Sequence, residues 1–470
     1  MGTKYGQTDI HPVALLLTLA MGVAMLMVKR DRAVVPLLIV ACLITHAQRV
    51  VIGGLDFSML RVVVLFGWAR LLFRGETSSY RYHPLDSAMI AWQLLATIAY
   101  MLGPRASVAA FVFRLGAGLD ALGIYFLFRI LLRDVVDIRR TVGAFSWIAI
   151  GIVLPMVIEH LTARNLFSML GGVPDITRVR DGRLRCQASF SHPIMAGNFG
   201  ATTMALVIAL WLIEPTRRFR HAIAIAAASA VTILSASSGP LMAWLTAFAA
   251  WGLWRQRRNM RAIRWCTFLI LLFLHLVREK PVWHLLARLA SITGGTGYHR
   301  FKLIDEAIAH FDEWWLLGTG STEHWSLAQA SDITNQYILE GVRGGLPTLI
   351  AFIVVLVIGF RTTGRSVRRA LALPQLAPAD RQRTAMLGWG LGVCLGVHAV
   401  AFIGVSYFGQ LSSILYLHMA MIPSFAIALS RVPGGAPAPA RAPRPEPARE
   451  VRTAPGPAPV AGTLTRRGMR

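Results

Sequence analysis

The sequence predicts an all-α fold, a polytopic transmembrane helical bundle of about 12–13 spans with a large helical loop outside the membrane. Hydrophobic residues make up 55% of the 470 residues and charged residues only 15%, against roughly 25% in soluble domains. The apolar residues come in blocks rather than at amphipathic or strand spacing, and a helix needs about 20 of them to cross a bilayer. No series of short alternating strands marks a barrel.

Taken in order, the candidate spans are 13–28, 33–47, 57–73, 85–102, 106–132, 142–158, 193–213, 222–234, 241–254, 262–277, 346–360, 385–408 and 411–429. The weakest division is the one at "SASSGP", between 222–234 and 241–254. Basic stretches orient the chain. "KRDR", "RGETSSYR", "RDVVDIRR", "TRRFR", "RQRRNMRAIR" and "RTTGRSVRR" fall in every second connection, as cytoplasmic loops should. The alternation puts the N-terminus outside and the C-terminus inside. The first apolar block precedes its basic flank, unlike a signal peptide, so it is expected to stay in the membrane.

The organisation expected is an N-terminal bundle over 1–158, a core over 159–360 with two outer loops (159–192 and 278–345), and further membrane helices over 361–430. A Pro-, Ala- and Arg-rich tail over 431–470 is expected to be disordered and cytoplasmic. The formal charge is +25. The basic residues sit between apolar blocks with no groove of interleaved aromatics, so nucleic acid is not an expected partner. Four cysteines include no CxxC pair, which argues against a zinc site or a disulfide framework. No His/Asp/Cys set with ligand spacing stands out in the outer loops, and neither metal nor cofactor is expected.

Both outer loops are rich in Arg although the bilayer rule disfavours basic residues there. One explanation is ordinary solvated charge, the other an anionic ligand. In "GRLRCQASFSHP", Arg183 and Arg185 precede His192 and the start of a span. Guanidinium forks suit phosphate oxygens, and a helix start adds free N–H groups. Contact with lipid headgroups explains such arginines equally simply. The second loop carries "GYHRFKLIDEAIAHFDEWWLLGTGSTEHW". Phe301, Ile304, Ala307, Ile308 and Phe311 recur at helical spacing, with Arg300 at the helix start. Asp305 and Glu306 read as its wet face. "SDITNQYILEGVRGG" then feeds the next span, with Asp332, Gln336, Glu340 and Arg343 on one helix face. Capping by Asp332 and a Glu340–Arg343 surface pair account for it without function. Within spans, Arg114 and Asp120 lie too far round the helix to pair locally. Arg61 is explained by snorkelling, and His398 stands as a weaker buried case.

In order, the chain holds an Arg and "HP" before a span, an Arg-led helix ending in "LLGTGS", and the polar "TNQYILEGVRGGLP". This series resembles the O-antigen ligase and polymerase superfamily of bacterial envelopes, over roughly 166–360. The resemblance implies an inner-membrane glycosyltransferase working at the periplasmic face. Such proteins pass a glycan from an undecaprenyl-diphosphate carrier to an acceptor hydroxyl, for exopolysaccharide or O-antigen assembly. Partners would be the carrier-linked oligosaccharide, membrane lipid and other polysaccharide assembly and export proteins. Arg185 and Arg300 match the family's diphosphate-holding arginines, with no metal required. The family's ligases carry His before the Asn of the polar stretch, and here Thr334 precedes Asn335. That departure favours a divergent polymerase and leaves the general base open among Asp332, His324 and Glu340, with Asn335 and Tyr337 orienting the acceptor. A lipid-linked glycan flippase and a non-catalytic export subunit are the competing functions.

Overall fold

The computed structural model describes residues 8–285, 297–325 and 333–432, together with 456 and 462; the side chains of 297–299 are excepted. The expected tail and Asp332 therefore lie outside the described residues. Helices are α1 (Pro12–Met27), α2 (Val34–Leu43), α3 (Met59–Phe73), α4 (Pro84–Leu102), α5 (Val108–Leu131), α6 (Val135–Thr162), α7 (Pro193–Ile213), α8 (Arg218–Leu234) and α9 (Ser238–Gly252). They continue as α10 (Met260–Val277), α11 (Gly297–Ala309), α12 (Phe311–Trp314), α13 (Gln336–Ala372), α14 (Pro378–Gly404) and α15 (Gln410–Ser430). Among the described residues, eight helical stretches are long and apolar enough to cross a membrane, the one over Ser238–Val277 comprising α9 and α10. The architecture is that of an all-helical, multi-pass membrane protein.

Local chemistry sets where helices start. Three helices begin with His-Pro. His11, His83 and His192 each use Nδ1 to accept the N–H two residues on, at 3.2, 3.1 and 3.2 Å, and the proline fills the first helical position, where no N–H is needed. Asp134 and Asp137 form a capping box that starts α6 well before its apolar block. α5 carries a π-turn at Leu119–Gly123. There Asp120 receives a two-pronged contact from Arg61 of α3, at 2.8 and 2.7 Å. Snorkelling is thus not the explanation of Arg61: its charge is paired.

The "SASSGP" division is real, since α8 ends at Leu234 and α9 begins at Ser238. Gly239 of α9 lies against Arg300 of α11. The turn after α10 returns to the same helix, where Trp283 and His284 bond Asp305 at 2.6 and 2.8 Å. The chain must therefore reverse at the 3-10 turn Leu253–Asn259. Asp305 is not a free wet-face residue.

α7 is the central helix. Its small residues let neighbours come close: a Cβ on Gly200 would meet the Ala228 carbonyl oxygen at 2.4 Å. α8, α9 and α14 pack on it, and α4 packs on α13. The described helices from α1 to α15 belong to one unit, 1–435, so the N-terminal, core and C-terminal stretches share a single core rather than forming separate bundles. Residues 436–470 form a second unit almost wholly outside the described residues.

α13 is broken near its start. Gly344 and Gly345 leave helical geometry, with Gly345 at φ 74°, a conformation that favours glycine. The loop from α12 repairs the break: Leu346 N–H donates to the Trp315 carbonyl at 2.7 Å, and Thr319 N–H to the Val342 carbonyl at 2.9 Å. A Cβ on Gly345 would lie 2.1 Å from the Leu316 carbonyl oxygen. The loop has its own small core of Leu303, Ala307, Trp314, Trp325, Ile333, Leu339 and Val342. Its buried stripe is thus Leu303–Ala307, displaced from the predicted one; Ile308 and Phe311 are exposed.

Candidate functional site

Two short strands, β1 (Arg178–Arg180) and β2 (Arg183–Arg185), form a hairpin that the sequence reading missed. Asp181 and Gly182 make its turn, with φ of 49° and 71°, the left-handed pair that Asp-Gly favours in a two-residue hairpin. Arg178 pairs across from Arg185, and Arg180 from Arg183. Side chains alternate faces along a strand, so all four arginines share one face. Like charges placed opposite one another are destabilising. Among the described residues the one acid in contact is Asp181, exposed and 3.7 Å from Arg180.

Arg185 turns inward from this face and is 8% exposed. Its Nη2 donates to Ser237 Oγ at 2.8 Å, and its buried Nε has no partner among the described residues. Arg300 reaches the same turn from the other loop. Its guanidinium is wedged between Gly239 and Gly404, where a Cβ on either would stand 3.2 Å away. Its Nε is also buried without a partner. The two arginines therefore meet at Ser237–Gly239, the N-terminus of α9, whose free N–H groups add positive character.

Burial first, and then Arg180 and Arg178, pull the Arg185 guanidinium below its ordinary range. Arg300 is lowered by burial and then by Arg180. His192 lies beside the cluster. Burial and the field of Arg185, Arg178 and Arg180 push its pKa down to about 4, so it is neutral near pH 7. Its Nδ1 is occupied with capping, as in the two other His-Pro starts, so that dipeptide is a helix-start device throughout this chain.

Glu159, which the sequence reading used only as a loop boundary, builds the site's floor. Its carboxylate accepts from the N–H groups of Gln187 (3.1 Å) and Ala188 (2.8 Å) and from Thr177 Oγ1 (3.2 Å). This clamps both ends of the hairpin to α6. Gln410 does the same from α15, donating to the Ser189 carbonyl at 2.7 Å and accepting from Ser191 N–H at 3.3 Å.

The polar stretch before α13 divides. Asn335 is the N-cap: Oδ1 accepts from Ile338 N–H and Nδ2 donates to the Ile403 carbonyl, both at 3.2 Å. The helix starts after it, at Gln336. Ile403 adjoins Gly404, which places Asn335 next to the Arg300 pocket. Tyr337 donates to the Ala399 carbonyl at 2.9 Å. Both residues bind α14 through the atoms that were expected to orient an acceptor. Beside them, Thr334 Oγ1 is buried without a partner. Glu340 faces another way, accepting from Trp92 Nε1 at 2.9 Å and Gln336 Nε2 at 2.8 Å. Its nearest partners are thus not Arg343, which is exposed. Glu340 and Arg343 both act on Arg114, which has Gln93 within 3.5 Å. His324 bonds Glu313.

Of the expected site residues, the structure brings together Arg183, Arg185, His192, Arg300 and Asn335. Glu340, Arg343 and His324 belong to other clusters. The arrangement can hold a multiply charged anion through forked donors and a helix start, with no acid paired to the two inner arginines among the described residues. No protein-family profile and no curated protein matches the chain.

Proposed function

We propose that this protein is a membrane glycosyltransferase that polymerises, or ligates, glycan units carried on an undecaprenyl diphosphate. The observation that supports it best is the pair of inner arginines, each with a buried partnerless Nε, meeting at one helix start. Such groups are poised for the diphosphate of the donor. The acceptor hydroxyl oxygen attacks the anomeric carbon, the bond to the carrier oxygen breaks, and the carrier diphosphate leaves with the electron pair. Its growing charge falls on Arg185, Arg300 and the α9 N–H groups, a use of fixed donors that typically contributes on the order of 10²–10³ in rate per donor. The exposed arginines of the hairpin draw the anionic donor in.

The hydroxyl proton needs an acceptor, which typically contributes roughly 10²–10⁴-fold. Glu340 is held by Trp92 and Gln336, and His324 by Glu313, so Asp332 is the base we assign, next to Ile333 and the Asn335 cap. In this reading the site works at the periplasmic face of the inner membrane, where carrier-linked units would be displayed.

The test is turnover of lipid-linked repeat units by the purified protein in detergent, where no compartments exist and a flippase yields no product. Longer or transferred glycan is expected from the parent protein. Arg185→Ala and Arg300→Ala should each lose it at normal protein levels. Lysine at either site should rescue poorly, because a point charge does not replace a fork. Near-parental turnover in both alanine variants would remove them from the site. Retained turnover in Asp332→Asn would remove the base.

A further inference from the structure

A second cluster lies on the α11–α12 loop, away from the arginines. His310 Nδ1 is 2.8 Å from Glu313 Oε1, and His324 Nε2 is 2.9 Å from both Glu313 oxygens. One ligand atom from each residue lies within 4.8 Å of the others. The residues come from the end of α11, from α12 and from beyond the "GTG" turn, so no short spacing announces them.

His310 carries the decisive detail. Its other nitrogen, Nε2, is 3.5 Å from Glu306 Oε2. That separation is an ion-pair distance rather than a hydrogen bond, yet it sets one carboxylate behind the ring while Nδ1 faces another. An imidazole with one nitrogen toward a cation and the other held by a carboxylate is the usual arrangement around a bound metal. Trp325 shields this side, stacked on His310 at 5.3 Å and 6° and donating to Glu313 Oε2 at 3.2 Å.

We infer that His310, Glu313 and His324 form a binding site for one divalent transition-metal ion of the zinc type. Two imidazole nitrogens and a carboxylate oxygen suit zinc, and three protein ligands leave one position open to water. The ion would fasten His324 to α12. This site does not rest on the glycosyltransferase reading, and it corrects the expectation that the outer loops hold no ligand set. His324 would then be a ligand rather than a base.

The experiment uses the full chain, purified in detergent through an affinity tag free of histidine, stripped with a chelator and dialysed against zinc. One zinc per chain is expected by elemental analysis, and cobalt substituted for it should give the intense visible absorption of a low-symmetry site. His310→Ala and His324→Ala should lose the stoichiometric ion while eluting as the parent does. Glu306→Gln should weaken binding by about 10–100-fold. The intramembrane group Cys394, His398 and His418 is the control, and Cys394→Ser should keep the ion. No stoichiometric metal in the parent overturns the assignment. So does an ion that survives both alanine variants or leaves with Cys394→Ser.

Discussion

Arg129 and Arg185 lie at opposite ends of the helix bundle, and both side chains are shielded from water. Arg129 meets Asp86 through two parallel bonds, Nε to Oδ1 at 2.8 Å and Nη2 to Oδ2 at 3.0 Å. Its remaining donors reach the Arg81 carbonyl and Ser424, and Tyr80 and Tyr125 also donate to Asp86. Among the described residues Arg185 has one side-chain bond, to Ser237, and no acid. The end around Arg129 holds further pairs, Arg30–Asp137, Arg70–Glu76 and Arg139–Glu214. A buried charge must be paired or it costs stability. The contrast therefore separates an arginine that ties helices together from one with no counterion among the described residues.

The largest expected effect breaks the first kind. Arg129→Ala or Asp86→Asn leaves a buried partner uncompensated, at a cost of about 3–5 kcal/mol, and should strongly reduce folded protein recovered by size-exclusion chromatography. Arg185→Met should melt no lower than the parent in the same detergent, because it removes a charge that had no counterion. A drop as deep as that of Arg129→Ala would mean that Arg185 is structural, and the comparison would fail.

A pH effect sharpens it. His192 has a folded pKa of about 4, below its ordinary 6.5. The unfolded chain then binds more protons between those values, so stability is full above pH 6.5 and declines as pH falls toward 4. His192→Asn keeps a capping oxygen and does not titrate in this window. Its melting temperature should vary less across the window than that of the parent. Equal slopes would show that the arginine field does not act on His192.

The smallest effect concerns the hairpin face. Arg178→Thr removes one of two like charges placed opposite each other and should raise stability by about 0.2–1 kcal/mol. A loss of stability would mean that the arginine face is satisfied within the protein and needs no anion.

Much of the fold was legible because lipid imposes long apolar blocks. The blocks at 193–213 and 411–429 appear as α7 and α15 almost to the residue. α6 outran its block because a capping box, not hydrophobicity, starts it. The site was legible only where chemistry is local. Arg185 and Arg300 stood out as charges beside spans, yet their meeting at Ser237–Gly239 depends on packing among α9, α11 and α14 that no short window contains. The hairpin had a signal, "RVRDGRLR", an Asp-Gly between alternating segments; its charge was read and its period of two was not. The Glu159 clamp had no signal, since a buried acid bound to backbone N–H groups looks like any helix-end Glu.

The repaired break in α13 bears on how a substrate reaches the arginines. A helix interrupted in lipid exposes N–H and C=O groups at several kcal/mol each. Residues 315–319 cover those groups at Val342 and Leu346, so lifting that segment would uncover them. It cannot serve as a swinging lid. Whatever binds the arginines must arrive along a path that leaves 315–319 seated.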